Sequence, residues 1–209
     1  MKLLAVGDSF TYGEELADLN FAWPFLLGNK LGYEVTNLGK PSKSNDYIAR
    51  TVVETALNYD LVIIAWSHYA RMEFADSIGT YDIWPGCNSH QAEFSKWRKN
   101  IIEYITFHHD DAYLYKQYLL NIILIQSYLE KNNKRYIMLD AFGNTKDRHL
   151  DTEISQQVNT THYLGWPDNS MMEWTYGSDQ GANGHFLGQG HQIVADKIYE
   201  HIRHLGWVS

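Results

Sequence analysis

The chain has a single cysteine, Cys87, among 209 residues, so no disulfide can close within it and the fold does not depend on an oxidising compartment. Basic residues are scarce. Seventeen Lys and Arg against 25 Asp and Glu leave a formal net charge of −8, with no basic stripe to neutralise a nucleic-acid backbone. Long apolar runs are also missing: the longest candidate, residues 118–129, is interrupted by Asn121, Gln126 and Ser127, well short of the roughly 18 apolar residues of a membrane span. The apolar start Leu3-Leu4-Ala5-Val6 stops at Gly7 and is followed at once by Asp8, too short for the core of a secretion signal, so it reads as a strand. The expectation is a protein that is cytoplasmic or otherwise soluble, without a signal peptide, with neither membrane nor nucleic acid as partner. No repeat, linker or low-complexity segment divides the sequence. With 44% apolar and 20% charged residues it reads as one globular domain over 1–209.

Strand and helix signals alternate. Residues 3–6, 33–37, 60–66 and 135–142 have strand character, and the continuous apolar run over 60–66 fits a strand buried on both faces of a parallel sheet. A short fifth strand is expected near 161–164. Helices are predicted from about residue 21 to Gly32, capped by Asn20 or Asp18, from Ser44 to about 56, over 94–107, over 111–132, and from Gly188 to about 205. Residues 67–94 read as irregular loop with room for one short helix, and 143–183 as mostly irregular. Alternation of this kind predicts an α/β fold with helices on both faces of a parallel sheet of about five strands.

The first turn, Gly7-Asp8-Ser9-Phe10-Thr11-Tyr12-Gly13, follows its strand directly. This places a serine hydroxyl at the carboxyl end of a buried strand, where open α/β sheets build their sites. A nucleophilic serine needs a base, and His185 in Gly184-His185-Phe186-Leu187-Gly188-Gln189-Gly190-His191 is the candidate. Asp8 is expected to shape the turn through its own backbone, and His191 to be structural.

These two blocks resemble the first and last blocks of the SGNH, or GDSL, hydrolases, in which a histidine is followed five and six residues later by Gly-His before a helix. The resemblance implies a flavodoxin-like three-layer αβα sandwich and a serine esterase working through an acyl-enzyme on a small carboxylic ester, such as an O-acetyl group on a carbohydrate. It implies Ser9 as nucleophile and His185 as base. The family's aspartate, three residues before the histidine, falls on Ala182; Asp179 is the favoured substitute, with Asn183, Asp168 or a backbone carbonyl as alternatives. The oxyanion hole would draw on the Ser9 N–H and on Ser42, which stands where the family has its second-block glycine, with Gly39 just upstream. In the third block, Trp66-Ser67-His68-Tyr69-Ala70-Arg71, the family's asparagine is absent, and Ser67, Tyr69 or His68 would replace it as donor. Arg71 is read as a structural ion pair in preference to a contact with a substrate carboxylate.

No cofactor is implied, and no metal. His108-His109-Asp110-Asp111 lacks a ligand spacing and suits a helix N-terminus. The expected partner is a small-molecule or glycan ester. Trp66, Tyr69, Tyr81, Trp84, Trp166 and Trp174 could stack on a sugar or simply pack under loops. The rival reading is a non-catalytic glycan-binding or structural module that keeps the fold, and a phosphodiesterase is disfavoured because no phosphate loop is present.

Overall fold

In the computed structural model, residues 1–75, 77, 79–87, 96–144 and 153–208 are described, without the side chains of Lys96 and Trp97. The chain opens with β1 (Lys2–Val6) and a single helical turn, α1 (Ser9–Tyr12). Next come α2 (Trp23–Leu31), β2 (Glu34–Asn37), α3 (Asn45–Thr55) and β3 (Leu61–Trp66). A hairpin of β4 (Met72–Ala75) and β5 (Thr80–Ile83) precedes α4 (Lys96–His108) and α5 (Asp111–Lys131). The chain closes with β6 (Arg135–Asp140), the short α6 (Met171–Trp174) and α7 (Gly188–His204).

Strands β2, β1, β3 and β6 lie in that order, all parallel. Side chains alternate across the sheet and divide the core in two. Leu4, Val6, Val62, Ile64, Trp66 and Met138 pack with α3 and α5, while Leu3, Ala5, Ile63, Ala65, Ile137 and Leu139 pack with α2 and α7. The architecture is therefore the expected flavodoxin-like αβα sandwich. The chain crosses back over β1 between β2 and β3, so the crevice beyond the carboxyl ends of β1 and β3 is where this topology opens a site.

Several local expectations are corrected. Where a fifth strand was expected, only one parallel bridge forms, Met138 to Tyr163, next to a 3₁₀ turn at Thr160–His162. Gly165, with φ +90°, turns the chain away before the ladder can extend. The predicted loop after β3 contains the antiparallel pair β4 and β5 instead. Asp18 caps a 3₁₀ turn, Leu19–Phe21, rather than α2, which starts after Ala22 with Pro24 in its first turn. The stretch 88–95, which includes the expected helix start at Phe94, lies outside the described residues. Ser44 and Asp110 cap α3 and α5 by accepting from Tyr47 N–H and Tyr113 N–H, and Gly32 stops α2 at φ +68°.

Candidate active site

Asp8 organises the rim beyond β1. It is fully buried, and its Oδ1 accepts from Phe10 N–H at 3.1 Å, capping the turn that begins with Ser9. Its Oδ2 accepts from Ser67 Oγ at 2.8 Å and from Arg71 Nη1 at 3.3 Å, which ties the end of β1 to the loop after β3. Burial pushes the Asp8 carboxyl above the usual carboxylate range, opposed by the Arg71 charge and these hydrogen bonds. Ser9 itself is 3% exposed, and no hydrogen bond of its hydroxyl occurs among the described residues.

His185 reaches the same rim from the loop before α7. Its ring stacks obliquely on Phe10, the neighbour of Ser9, at a centroid distance of 5.0 Å. The carboxylate on its Nδ1 is Glu15, at 2.9 Å, and not Asp179. Glu15 also accepts from the backbone N–H of Asn183 at 2.9 Å and of His185 at 3.2 Å, so it fastens the whole loop as well as the ring. These bonds, the one from Asn183 foremost, hold its carboxyl below the ordinary value, against some desolvation. Glu15 has φ +69°, a left-handed backbone that a non-glycine residue rarely adopts and that costs about 1–3 kcal/mol unless its surroundings impose it.

Asp179 and Asp168 are exposed. Asp179 meets this loop through its backbone carbonyl, which accepts from Leu187 N–H. Asn183 meets Glu15 through its backbone, not the ring through its amide. Nε2 of His185 lies 3.4 Å from Glu14 Oε2, and no hydrogen bond joins either ring nitrogen to Ser9 in this structure. His191, the other histidine of the block, is buried; its Nδ1 accepts from Trp23 N–H at 3.2 Å, and desolvation pushes it down to about 3.

The expected oxyanion donors separate into two groups. The backbone N–H groups of Ser9 and Ser42 have no acceptor among the described residues, and Ser42 has φ +63°, the conformation a glycine would adopt there. Gly39 is fixed by packing: a Cβ on it would come within 2.6 Å of Tyr12 N, and its own N–H is bound to Asn37 Oδ1. Two of the three side-chain candidates are committed elsewhere. Ser67 Oγ donates to Asp8, and Tyr69 donates from its hydroxyl to Asp111 Oδ1 at 2.9 Å, so neither keeps a proton for a substrate oxygen. Nδ1 of His68 accepts from Ala70 N–H at 3.2 Å.

The backbone of this loop is clamped by two buried asparagines. Asn45 bonds Ser67 N–H and the carbonyls of Ser67 and His68, and Asn144 bonds Tyr69 N–H and the Ser67 carbonyl. Asn144 is in turn held by Asp140, on whose Oδ1 the hydroxyls of Tyr118 and Tyr163 also converge. Glu15, Asn45, Asn144 and Asp140 are the residues that sequence reasoning missed. For Glu15 a signal existed, since the acidic pair Glu14-Glu15 directly follows the Ser9 turn.

Solved structures with this fold are distant in sequence. The psychrotrophic esterase EstA from Pseudoalteromonas sp., in a structure inhibited by monoethylphosphonate, is 14% identical, with 99% of each chain covered and a TM-score of 0.56. An acetyl-xylooligosaccharide esterase from Geobacillus Stearmophilus is 18% identical over 96% of this chain and 93% of that one, with a TM-score of 0.55. A member of the lipolytic protein G-D-S-L family from Veillonella parvula is 14% identical over 96% and 97%, with a TM-score of 0.51. No curated protein matches the sequence. Residues 12–209 match the model of DUF6071, a family of unknown function, and the chain belongs to that family.

Proposed function

We propose that the protein is a serine esterase of the SGNH type, with Ser9 as nucleophile, His185 as base and Glu15 in place of the family's aspartate. The observation that carries this reading is the Glu15 carboxylate on Nδ1 of a histidine packed against the residue next to Ser9. With Nδ1–H donated to Glu15, the lone pair is on Nε2, the nitrogen that would take the Ser9 proton. Ser9 Oγ then attacks the ester carbonyl, and the oxygen that gains negative charge is received by the N–H groups of Ser9 and Ser42. Nε2–H returns its proton to the leaving alcohol, and a water activated by the same nitrogen releases the acid. This step requires Glu14 to leave Nε2, and its side chain, 37% exposed, has solvent to rotate into.

With Ser67 and Tyr69 committed elsewhere, the oxyanion is met by the two backbone N–H groups, and the loss of one side-chain donor costs on the order of 3 kcal/mol in the barrier. Small esters are the expected substrates, and the acetyl-xylooligosaccharide esterase among the fold neighbours supports O-acetyl groups on carbohydrates as the class. The uncommitted Ser9 hydroxyl, unbonded to His185, favours one second reading, a glycan-binding module without catalysis. A fluorophosphonate probe separates the two. Covalent labelling mapped to Ser9, with turnover of p-nitrophenyl acetate, is expected; an unlabelled Ser9 in folded protein would reject the esterase.

A second expected result concerns Gly181. A Cβ there would stand 2.5–2.7 Å from the carboxyl atoms of Glu15. Because those atoms end a side chain that can swing away, Gly181→Ala should lower kcat by ~10-fold or more through a displaced carboxylate, with the fold kept and the melting temperature lowered only as far as the Asn183 and His185 N–H bonds are lost. Equal kcat in variant and wild type, measured beside thermal unfolding, would contradict the role of Glu15.

A further inference from the structure

The Arg71 guanidinium is bound along one side and open along the other. Its Nη1 donates to Ser67 Oγ at 2.8 Å, to Asp8 Oδ2 at 3.3 Å and to the Lys43 carbonyl at 3.4 Å. Among the described residues, Nε and Nη2 have no hydrogen-bond partner. The group lies over two aromatic rings, with Cζ 5.0 Å from the Trp84 centroid and 5.1 Å from that of Phe142. An arginine pinned at one nitrogen and held by two rings offers its remaining donors as a preset fork, and that fork matches the two oxygens of a carboxylate.

Its position relates it to the reacting centre. Asp8, its ion-pair partner, adjoins Ser9, and Phe142 touches Phe10 at 5.3 Å, the ring that also touches His185. A cavity of about 200 Å³ is lined by Ser42 at the expected oxyanion site and by Trp84, one of the two rings under Arg71, while Arg71 itself lines a neighbouring cavity of about 250 Å³ together with Tyr69, Asp46 and Glu73. Lys43, which also lines it, has its charge met by Asp82 at 2.5 Å. Asp8 occupies only the Nη1 side of Arg71. The chain's overall negative charge does not decide the matter, because at physiological salt charges beyond about 8 Å are largely screened and the local donors prevail.

We propose that the open edge of Arg71 binds a carboxylate carried by the substrate, so that acidic esters are favoured over neutral ones. The proposal rests on the esterase reading for its chemistry, but the binding site stands on its own geometry. The carboxylate could belong to the acyl part or to the alcohol part, and matched esters distinguish them. For the acyl part, p-nitrophenyl hydrogen succinate is compared with its methyl ester; for the alcohol part, 4-acetoxybenzoate is compared with methyl 4-acetoxybenzoate.

In wild type, kcat/KM for the charged member of one pair should exceed that of its neutral partner by tenfold or more. Arg71→Gln should remove that preference, and Arg71→Lys should keep part of it. The same ratio in wild type and Arg71→Gln overturns the proposal. Since Arg71 also supports Asp8, Trp84→Leu serves as a variant that leaves the Asp8 bonds in place, and it should raise KM for the charged ester more than for its neutral partner. Calorimetric titration with succinate and with benzoate gives a readout without turnover: binding to wild type that Arg71→Gln abolishes supports the site, and no binding of either acid to wild type overturns it. Acid binding through Arg71 in a protein that cleaves none of the four esters would reject the esterase and keep the anion site. Cleavage of charged and neutral esters alike, indifferent to Arg71, would do the reverse.

Discussion

Replacing Glu15 by glutamine is expected to lower kcat for p-nitrophenyl acetate by ~10³–10⁴-fold while KM changes little, the loss seen when a triad carboxylate is neutralised. Two effects combine. Glutamine can still accept a hydrogen bond from Nδ1, but it cannot balance the positive charge His185 gains when it takes the Ser9 proton. Its amide can also turn an NH₂ toward Nδ1, which would put the imidazole proton on Nε2, the wrong nitrogen for a base. Glu15→Ala adds a third effect, because the N–H groups of Asn183 and His185 lose their acceptor and the loop is no longer held. The control is Asp179→Asn, which should leave kcat within about twofold, because the Asp179 side chain is exposed and takes no part in the ring's hydrogen bonds. Steady-state kinetics of the three variants decide it. A large loss in Asp179→Asn with little in Glu15→Gln would return the role to the residue that sequence spacing favours.

That reversal of candidates shows where the sequence is legible. Ser44 and Asp110 announce their helices because a cap acts within three residues, and the strand at Leu61–Trp66 is announced by its unbroken apolar run. The blocks that hold Ser9 and His185 stand out for the same reason, each being local, and the fold brings both to one rim through Phe10. Glu15 is far from His185 in sequence and meets it only because the Gly181–His185 loop folds back over the Ser9 turn, a tertiary contact that no spacing rule encodes. Ser67 and Tyr69 fail in the opposite way. Their hydroxyls are suitable donors by residue type, but Asp8 and Asp111 take them, and which acceptor captures a hydroxyl is decided by the assembled fold. The β4 and β5 hairpin escapes notice because Met72-Glu73-Phe74-Ala75 is too short and too mixed to show a two-residue period.

Asp140 should make the protein less stable as the pH rises from about 4 to 7, and Asp140→Asn should abolish that loss. The carboxyl is buried beneath the third-block loop, and desolvation, opposed by hydrogen bonds from Tyr118, Asn144 and Tyr163, pushes it up to about 7 from an ordinary 3.8. Between those values the folded chain holds a proton that the unfolded chain has released, so unfolding is favoured as protons are withdrawn, by up to about 1.4 kcal/mol per pH unit. His191 acts with the opposite sign. Kept neutral down to about 3 by burial, it lets the unfolded chain bind the extra proton below 6.5, so its contribution rises with pH over much of the same window. The two slopes oppose each other in wild type between pH 4.5 and 6.5, so the effect of Asp140 is read from the difference between wild type and the variant. In Asp140→Asn the acceptor for Tyr118, Tyr163 and Asn144 remains but the titration is gone, and stability relative to wild type should climb with pH across this window. At pH 8 the variant should be the more stable protein by a few kcal/mol, the difference vanishing near pH 4. Urea unfolding of both proteins at half-unit steps from pH 4.5 to 8 measures it. A gap between the two curves that does not change with pH would mean that Asp140 is ionised throughout, and that the three hydrogen bonds outweigh its burial.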